Sequence, residues 1–287
     1  MLLSASWLGI FEYAFMRNAF MAGTLVAVTA GIVGYFVVLR RLAFAGHALA
    51  HIGFAGATGA VFLNLNLFVG LAVFTTGAGI AMGILGDKVR GRDVAIGTVL
   101  ALTMGLGNLF LSLSTKLAGE ATSILFGDLL AISWTQVHLT LVFAVGTLLI
   151  MATIYRPLLF ASVDPEVAET RGVPVRLLGV LFMVLLALTV SQAVQVVGVL
   201  LIFSLLITPA ATAHLLTSRP AIGILYAVGF AVASVWSGLL LAYQIPWPPS
   251  AFITLISFAL YLGVRLLMPA FTVARQRSAQ SDLQTVP

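Results

Sequence analysis

Charged residues divide this chain into long apolar stretches. No Asp, Glu, Lys or Arg occurs within 18–39, 42–86, 94–115, 129–155, 177–218 or 220–264. A helix needs about 20 apolar residues to cross the ~30 Å hydrocarbon core of a bilayer. The runs of 22, 22 and 27 residues therefore fit one crossing each, and those of 45, 42 and 45 residues fit two. Every long run has turn formers near its middle: Asn64-Leu65-Asn66, Ser191-Gln192 to Gln195, and Tyr243-Gln244-Ile245-Pro246-Trp247-Pro248-Pro249. The pattern predicts an all-α polytopic membrane protein of about nine transmembrane helices, eight if one segment enters only part-way. Residues 119–132 are expected to add a short re-entrant or surface helix.

Composition agrees with that reading. Only 8% of the 287 residues are charged and 61% are apolar, against about 25% charged in an ordinary soluble domain. So few charges cannot cover a water-soluble globule, which excludes a soluble enzyme. The 14 basic residues are dispersed along the chain and form no patch for nucleic acid. With no cysteine, disulfides, thiolate metal sites and cysteine nucleophiles are excluded.

The basic residues also set an orientation. If the first crossing ends at Arg40-Arg41 on the cytoplasmic side, 12 of the 14 Lys and Arg lie inside, leaving Arg17 and Lys116 outside. The positive-inside rule then puts the amino terminus out and the carboxyl terminus in. We expect a single transmembrane domain over 1–268, followed by a polar, disordered cytoplasmic tail over 269–287. The first residues lack the charged and small-residue features of a removable signal peptide.

The connection from Tyr155 to Arg176 carries a local helix signature. Asp164 reads as an N-cap, Pro165 as the first helical residue and Glu166 as a first-turn acid. Glu169 and Arg171 follow, Gly172 is placed to cap the end, and Pro174 stops the helix. Such a helix is either a solvated connector or a docking element for a cytoplasmic partner. No Gly-x-x-x-x-Gly-Lys phosphate loop occurs, so ATP-driven transport would need a separate ATPase.

The chemistry is concentrated in His47 and His51, within Gly46-His47-Ala48-Leu49-Ala50-His51-Ile52-Gly53. A spacing of four puts both imidazoles on one helix face, about 6 Å apart at Cβ, where they can share a divalent cation or each bond a neighbouring helix. No Glu stands between them, so zinc-protease chemistry is missing; four histidines in all are too few for a di-iron oxygenase. Two ligands of the four zinc usually takes suit a transit site that a second copy of the chain completes. His138 stands alone and reads as a packing residue. His214, after Thr208-Pro209-Ala210-Ala211-Thr212, is a possible pathway residue, with Pro209 expected to kink its helix. Asp128 reads equally as an interfacial group or as a pathway entrance.

These residues resemble the membrane permeases of bacterial zinc and manganese ABC importers. The likeness is carried by Val38-Leu39-Arg40-Arg41 with the histidine segment, by Ser123-Ile124-Leu125-Phe126-Gly127-Asp128, and by Asp164-Pro165-Glu166 with Arg171-Gly172-Val173. It continues in Gly198-Val199-Leu200-Leu201 through Leu206-Ile207-Thr208-Pro209-Ala210-Ala211-Thr212-Ala213. The resemblance spans 11–265. It implies a type II ABC-importer-like permease, a non-enzymatic transport subunit without a cofactor, in the bacterial cytoplasmic (inner) membrane. Its implied partners are a second copy of itself, two cytoplasmic ATPases and an external or periplasmic metal-binding protein, with the loop helix docking on the ATPase. Many members of that family carry Asp where His47 stands. The exchange of oxygen for nitrogen favours zinc over manganese, and leaves a gating role for His47 open. An importer for iron, or a self-sufficient secondary transporter, is the alternative; the latter predicts buried acid–base relays, which the six uncharged runs lack.

Overall fold

A computed structural model describes residues 9–86, 92–113 and 127–284, with side chains described through 267. After a short 3-10 turn at Gly9–Glu12 come α1 (Ala14–Leu39), α2 (Ala43–Phe62), α3 (Leu67–Leu85), α4 (Arg92–Leu113), α5 (Trp134–Val163), α6 (Pro165–Thr170), α7 (Val175–Leu216), α8 (Pro220–Gln244) and α9 (Pro249–Gln284). Among the described residues, seven helices are long and apolar enough to cross a membrane. They are α1, α3, α4, α5, α7, α8 and the Pro249–Leu267 part of α9. The shorter count than the eight or nine expected has two physical sources. Glycines and two histidines dilute the apolar content of α2, and the two arms of α7 follow one another without a loop, so its 42 residues count once.

The run in α7 is nevertheless two helices. Gly198 has φ 83° and ψ 166°, a region essentially closed to residues with a side chain. A straight helix would put Phe182 and His214 about 48 Å apart. Instead the Phe182 ring packs 6.2 Å from Phe36, and the His214 ring 4.3 Å from Tyr35, the adjacent residue of α1. The chain therefore folds back at Gly198, and both arms of α7 lie along α1. This corrects the expected turn at Ser191–Gln195, which is helical and buried. The Gln192 amide is used sideways, donating to the Thr29 hydroxyl at 2.9 Å. Pro209 sits inside the second arm without a non-helical dihedral, since the proline φ is itself helical.

Where the sequence signals are local, the structure follows them. Asn64 takes φ 54° and Asn66 caps α3 by accepting from Phe68 N at 2.9 Å. Ser133 and Gln136 form a reciprocal capping box at the start of α5. The helix expected over 119–132 lies partly outside the described residues, and 127–133 is turn and bend. Helical backbone continues beyond 268 to Gln284, across residues whose composition marks a polar tail.

The core is α1 with the two arms of α7. Their most apolar windows are 67% buried, against 11% for α4 and 17% for α9. The low values mark the helices that lie on the outside of the single chain. At Gly34 an added Cβ would collide with the Leu206 carbonyl, so the second arm of α7 rests directly on the α1 backbone. α2 packs against α3, α4 and α7 with most of its residues buried, which builds the histidine-bearing helix into this core.

Candidate functional site

α2 is built largely from small residues, with Gly46, Ala48, Ala50, Gly53, Ala55, Gly56 and Ala57 all buried against neighbours. One stripe stays open: Phe44 is exposed, and His47, His51 and Phe54 are half-buried. Offsets of three and four keep these four side chains on a single face. The His47 and His51 rings meet edge to face, centroids 4.6 Å apart at 77°. Phe203, from the second arm of α7, closes the other side of His47 at 5.0 Å. Nothing in the sequence pairs Phe203 with His47, because the contact exists only after α7 has folded back.

Hydrogen bonding separates the four histidines into two kinds. Nδ1 of His138 lies 3.0 Å from the Trp134 carbonyl one turn earlier, with the two rings packed at 4.8 Å. Nε2 of His214 donates to the Tyr35 carbonyl at 3.1 Å while its ring stacks on Tyr35. No described residue hydrogen-bonds either ring of the His47–His51 pair. Two facing imidazoles whose nitrogens no described residue engages can ligate a cation. Among the described residues no group of three or more His, Asp or Glu comes together, so the described residues of one copy supply two ligands of such a shell.

Asp128 lies at the apex of the α7 reversal. Gly127 beside it has φ 71°, and a Cβ there would strike the backbone of Val197 and Gly198. Asp128 itself is exposed, apart from the histidine pair in sequence and in packing.

The loop helix forms as its caps require. The Asp164 carboxylate accepts from Val167 N at 3.1 Å, and Pro165 occupies the first turn. At the other end Gly172 N donates to Glu169 O at 2.9 Å and Val173 N to Ala168 O at 3.0 Å. That is a Schellman ending, with Gly172 at φ 80°. Ala168 is buried and pins α6 to the bundle, while Glu166, Val167, Glu169, Thr170 and Arg171 face outward.

Comparison with known proteins identifies this architecture. Residues 12–268 match the family model described as the ABC 3 transport family. The chain is 32% identical over 262 residues to the manganese transport system membrane protein MntC of Listeria innocua, covering 91% of this chain and 93% of that one. It is 32% identical over 278 residues to the manganese import system permease protein ScaB of Streptococcus parasanguinis, covering 96% and 97%. Among solved structures, PsaBC from Streptococcus pneumoniae in complex with Fab superposes with a TM-score of 0.79 at 30% identity, over 89% of this chain and 92% of that one. The chain belongs to the ABC 3 transport family and is a multi-pass membrane permease.

Proposed function

We propose that this chain is the permease subunit of an ATP-binding-cassette importer carrying a divalent transition-metal ion, with His47 and His51 as paired ligands on the ion's path. The observation that carries the reading is the pair itself: two facing imidazoles that no described residue hydrogen-bonds, on the one open stripe of α2. A second copy docked on that stripe would bring two more imidazoles across a two-fold axis and complete four-fold coordination. Phe44 and Phe54 flank the histidines on the same face and supply apolar contact for such an interface. A shell shared between copies opens when they part, so the ion enters and also leaves.

Counting both arms of α7 and the histidine-bearing α2 brings the crossings to nine in this reading, amino terminus out and carboxyl terminus in. α6 then hangs on the cytoplasmic side. Its capped ends and its outward row of Glu166, Val167 and Glu169 suit docking against a separate ATPase, one on each permease. An external metal-binding protein would deliver the ion at the Asp128 end. His214 and His138, each with one ring nitrogen engaged by a carbonyl and the ring packed on an aromatic neighbour, act as packing groups.

Two observations pull apart on the cargo. Paired nitrogens with no described carboxylate beside them favour zinc by ligand softness. The relatives above are named for manganese. Cell-associated zinc, manganese and iron under metal limitation separate these readings, compared among intact cells, a gene deletion and His51→Ala. A fall in zinc alone supports the nitrogen site, and a fall in manganese supports the relatives' cargo. Unchanged metals in both strains, in cells without a second importer, overturn the transport reading. Replacing 164–172 by a flexible linker is expected to abolish uptake with insertion intact; full uptake would remove α6 from the coupling.

A further inference from the structure

The end of the bundle that carries α6 holds a cavity of about 660 Å³. Its charged lining is Arg40 and Arg41 after α1, Arg92 at the start of α4, Arg176 at the start of α7, and Glu169 of α6. Arg40, Arg41 and Arg92 thus bring three guanidinium groups to a lining whose one described carboxylate is Glu169. Arg41 adopts φ 56°, which turns the chain sharply enough to bring the Arg40–Arg41 pair into the wall.

Two of these cations are left short of acceptors among the described residues. Arg92 Nη2 donates to the Arg40 and Arg41 carbonyls at 3.3 and 3.4 Å, yet its Nε is buried with no described partner. The Arg40 guanidinium lies 5.4 Å from the centre of the Phe182 ring, and its Nη1 is likewise buried without a partner. Burial and the neighbouring Arg92 charge push Arg40 down to about 10, still protonated at neutral pH. Two like charges side by side, each with a buried donor that no described residue accepts from, are stabilised by an anion placed between them.

We propose that this cavity binds a phosphate group, with Arg40 and Arg92 as its principal contacts. Phosphate oxygens match the forked donors of guanidinium and accept several charge-assisted bonds at once. The same chemistry comes from two sources, the headgroup of an anionic lipid or soluble phosphate. The cavity lies where α1, α3, α4 and α7 end, and basic pockets between helices at that depth take lipid headgroups. Pro165 and Glu169 of α6 line it as well, so an occupant ties the loop helix to the ends of α1 and α4. The inference is independent of which ion the protein carries.

The test uses the full-length chain in nanodiscs of phosphatidylcholine, with and without phosphatidylglycerol, and separately with inorganic phosphate. Thermal stability and lipid retention in native mass spectrometry are the readouts. The variants are Arg92→Gln, Arg40→Lys (charge kept, fork lost) and, as a control outside the cavity, the exposed Arg219→Gln. Phosphatidylglycerol is expected to raise the midpoint of the parent and of Arg219→Gln by about 4 °C, and to have less than half that effect in Arg92→Gln. If Arg92→Gln does not assemble, Arg40→Lys provides the same comparison. A shift from inorganic phosphate in phosphatidylcholine discs, lost in the variants, assigns the soluble source and upholds the site. Equal shifts in all proteins would reduce the effect to diffuse surface charge and overturn it, as would no shift from either anion. Loss of the phosphatidylglycerol response on adding the partner ATPase would give the cavity to an acidic side chain of that partner and overturn it too.

Discussion

Two of the chain's reversals border the elements that meet at His47, and they use opposite chemistry. Between α2 and α3 the turn is exposed and polar: Asn64 takes φ 54° and Asn66 caps the next helix through its own side chain. Inside α7 the reversal is buried and apolar, flanked by Val196, Val197 and Val199, with Gly198 at φ 83° and Gly127 pressed on its backbone. The first turn satisfies its orphan main-chain groups locally, with side-chain atoms and solvent. The second depends on a missing side chain and on a neighbouring loop from another part of the chain. A turn of the first kind tolerates change; one of the second kind does not.

Substitutions can break that comparison, beginning with the largest expected effect. Gly198→Val puts a β-branched residue where only glycine fits, at about 3 kcal/mol of backbone strain before the clash with the Gly127 loop. The expected result is loss of most inserted, folded protein, read as yield and monodispersity in detergent. A near-normal yield would mean that the reversal does not need glycine. His51→Ala is next in its functional effect and small in its structural one. It removes a half-buried ring with no hydrogen bond, so uptake should collapse while thermal stability moves by less than about 1 kcal/mol. A parallel loss of stability would reassign the ring to packing. Asn66→Ala is expected to cost about 1 kcal/mol through the lost cap, measured as a modest fall in the midpoint with uptake retained. Smallest of all, Asn64→Gly should be neutral or slightly stabilising, because the site already has a positive φ. A loss exceeding that of Asn66→Ala would show that the first turn, too, depends on packing.

The same contrast explains what could be read from residues alone. The ends of α6 were legible because Asp164, Pro165 and Gly172 act within a few residues of one another. The reversal in α7 was not. Ser191, Gln192 and Gln195 are polar residues near the middle of that run and invite a turn, but the bonding partner of Gln192 is Thr29, far away in sequence. Gly198 sits in a valine-rich stretch where nothing local distinguishes a break from a helix. Among the histidines, spacing alone put His47 and His51 on one face. That His214 is engaged by the Tyr35 carbonyl depends on α7 folding back along α1. Arg40 and Arg92 were legible as charges that orient the chain, and invisible as two walls of one cavity.

The sequence by itself determined the solvent this protein lives in, the long apolar spans, the capped loop helix and the presence of two imidazoles on one helix face. Those properties follow from composition, charge spacing and hydrogen bonds that close within one or two turns. Only the tertiary structure decided where α7 reverses, that the Tyr35 carbonyl engages His214, and which arginines share a cavity. Each of those outcomes is a contact between segments distant along the chain, set by how small residues let helix backbones approach and therefore unmarked in any local pattern.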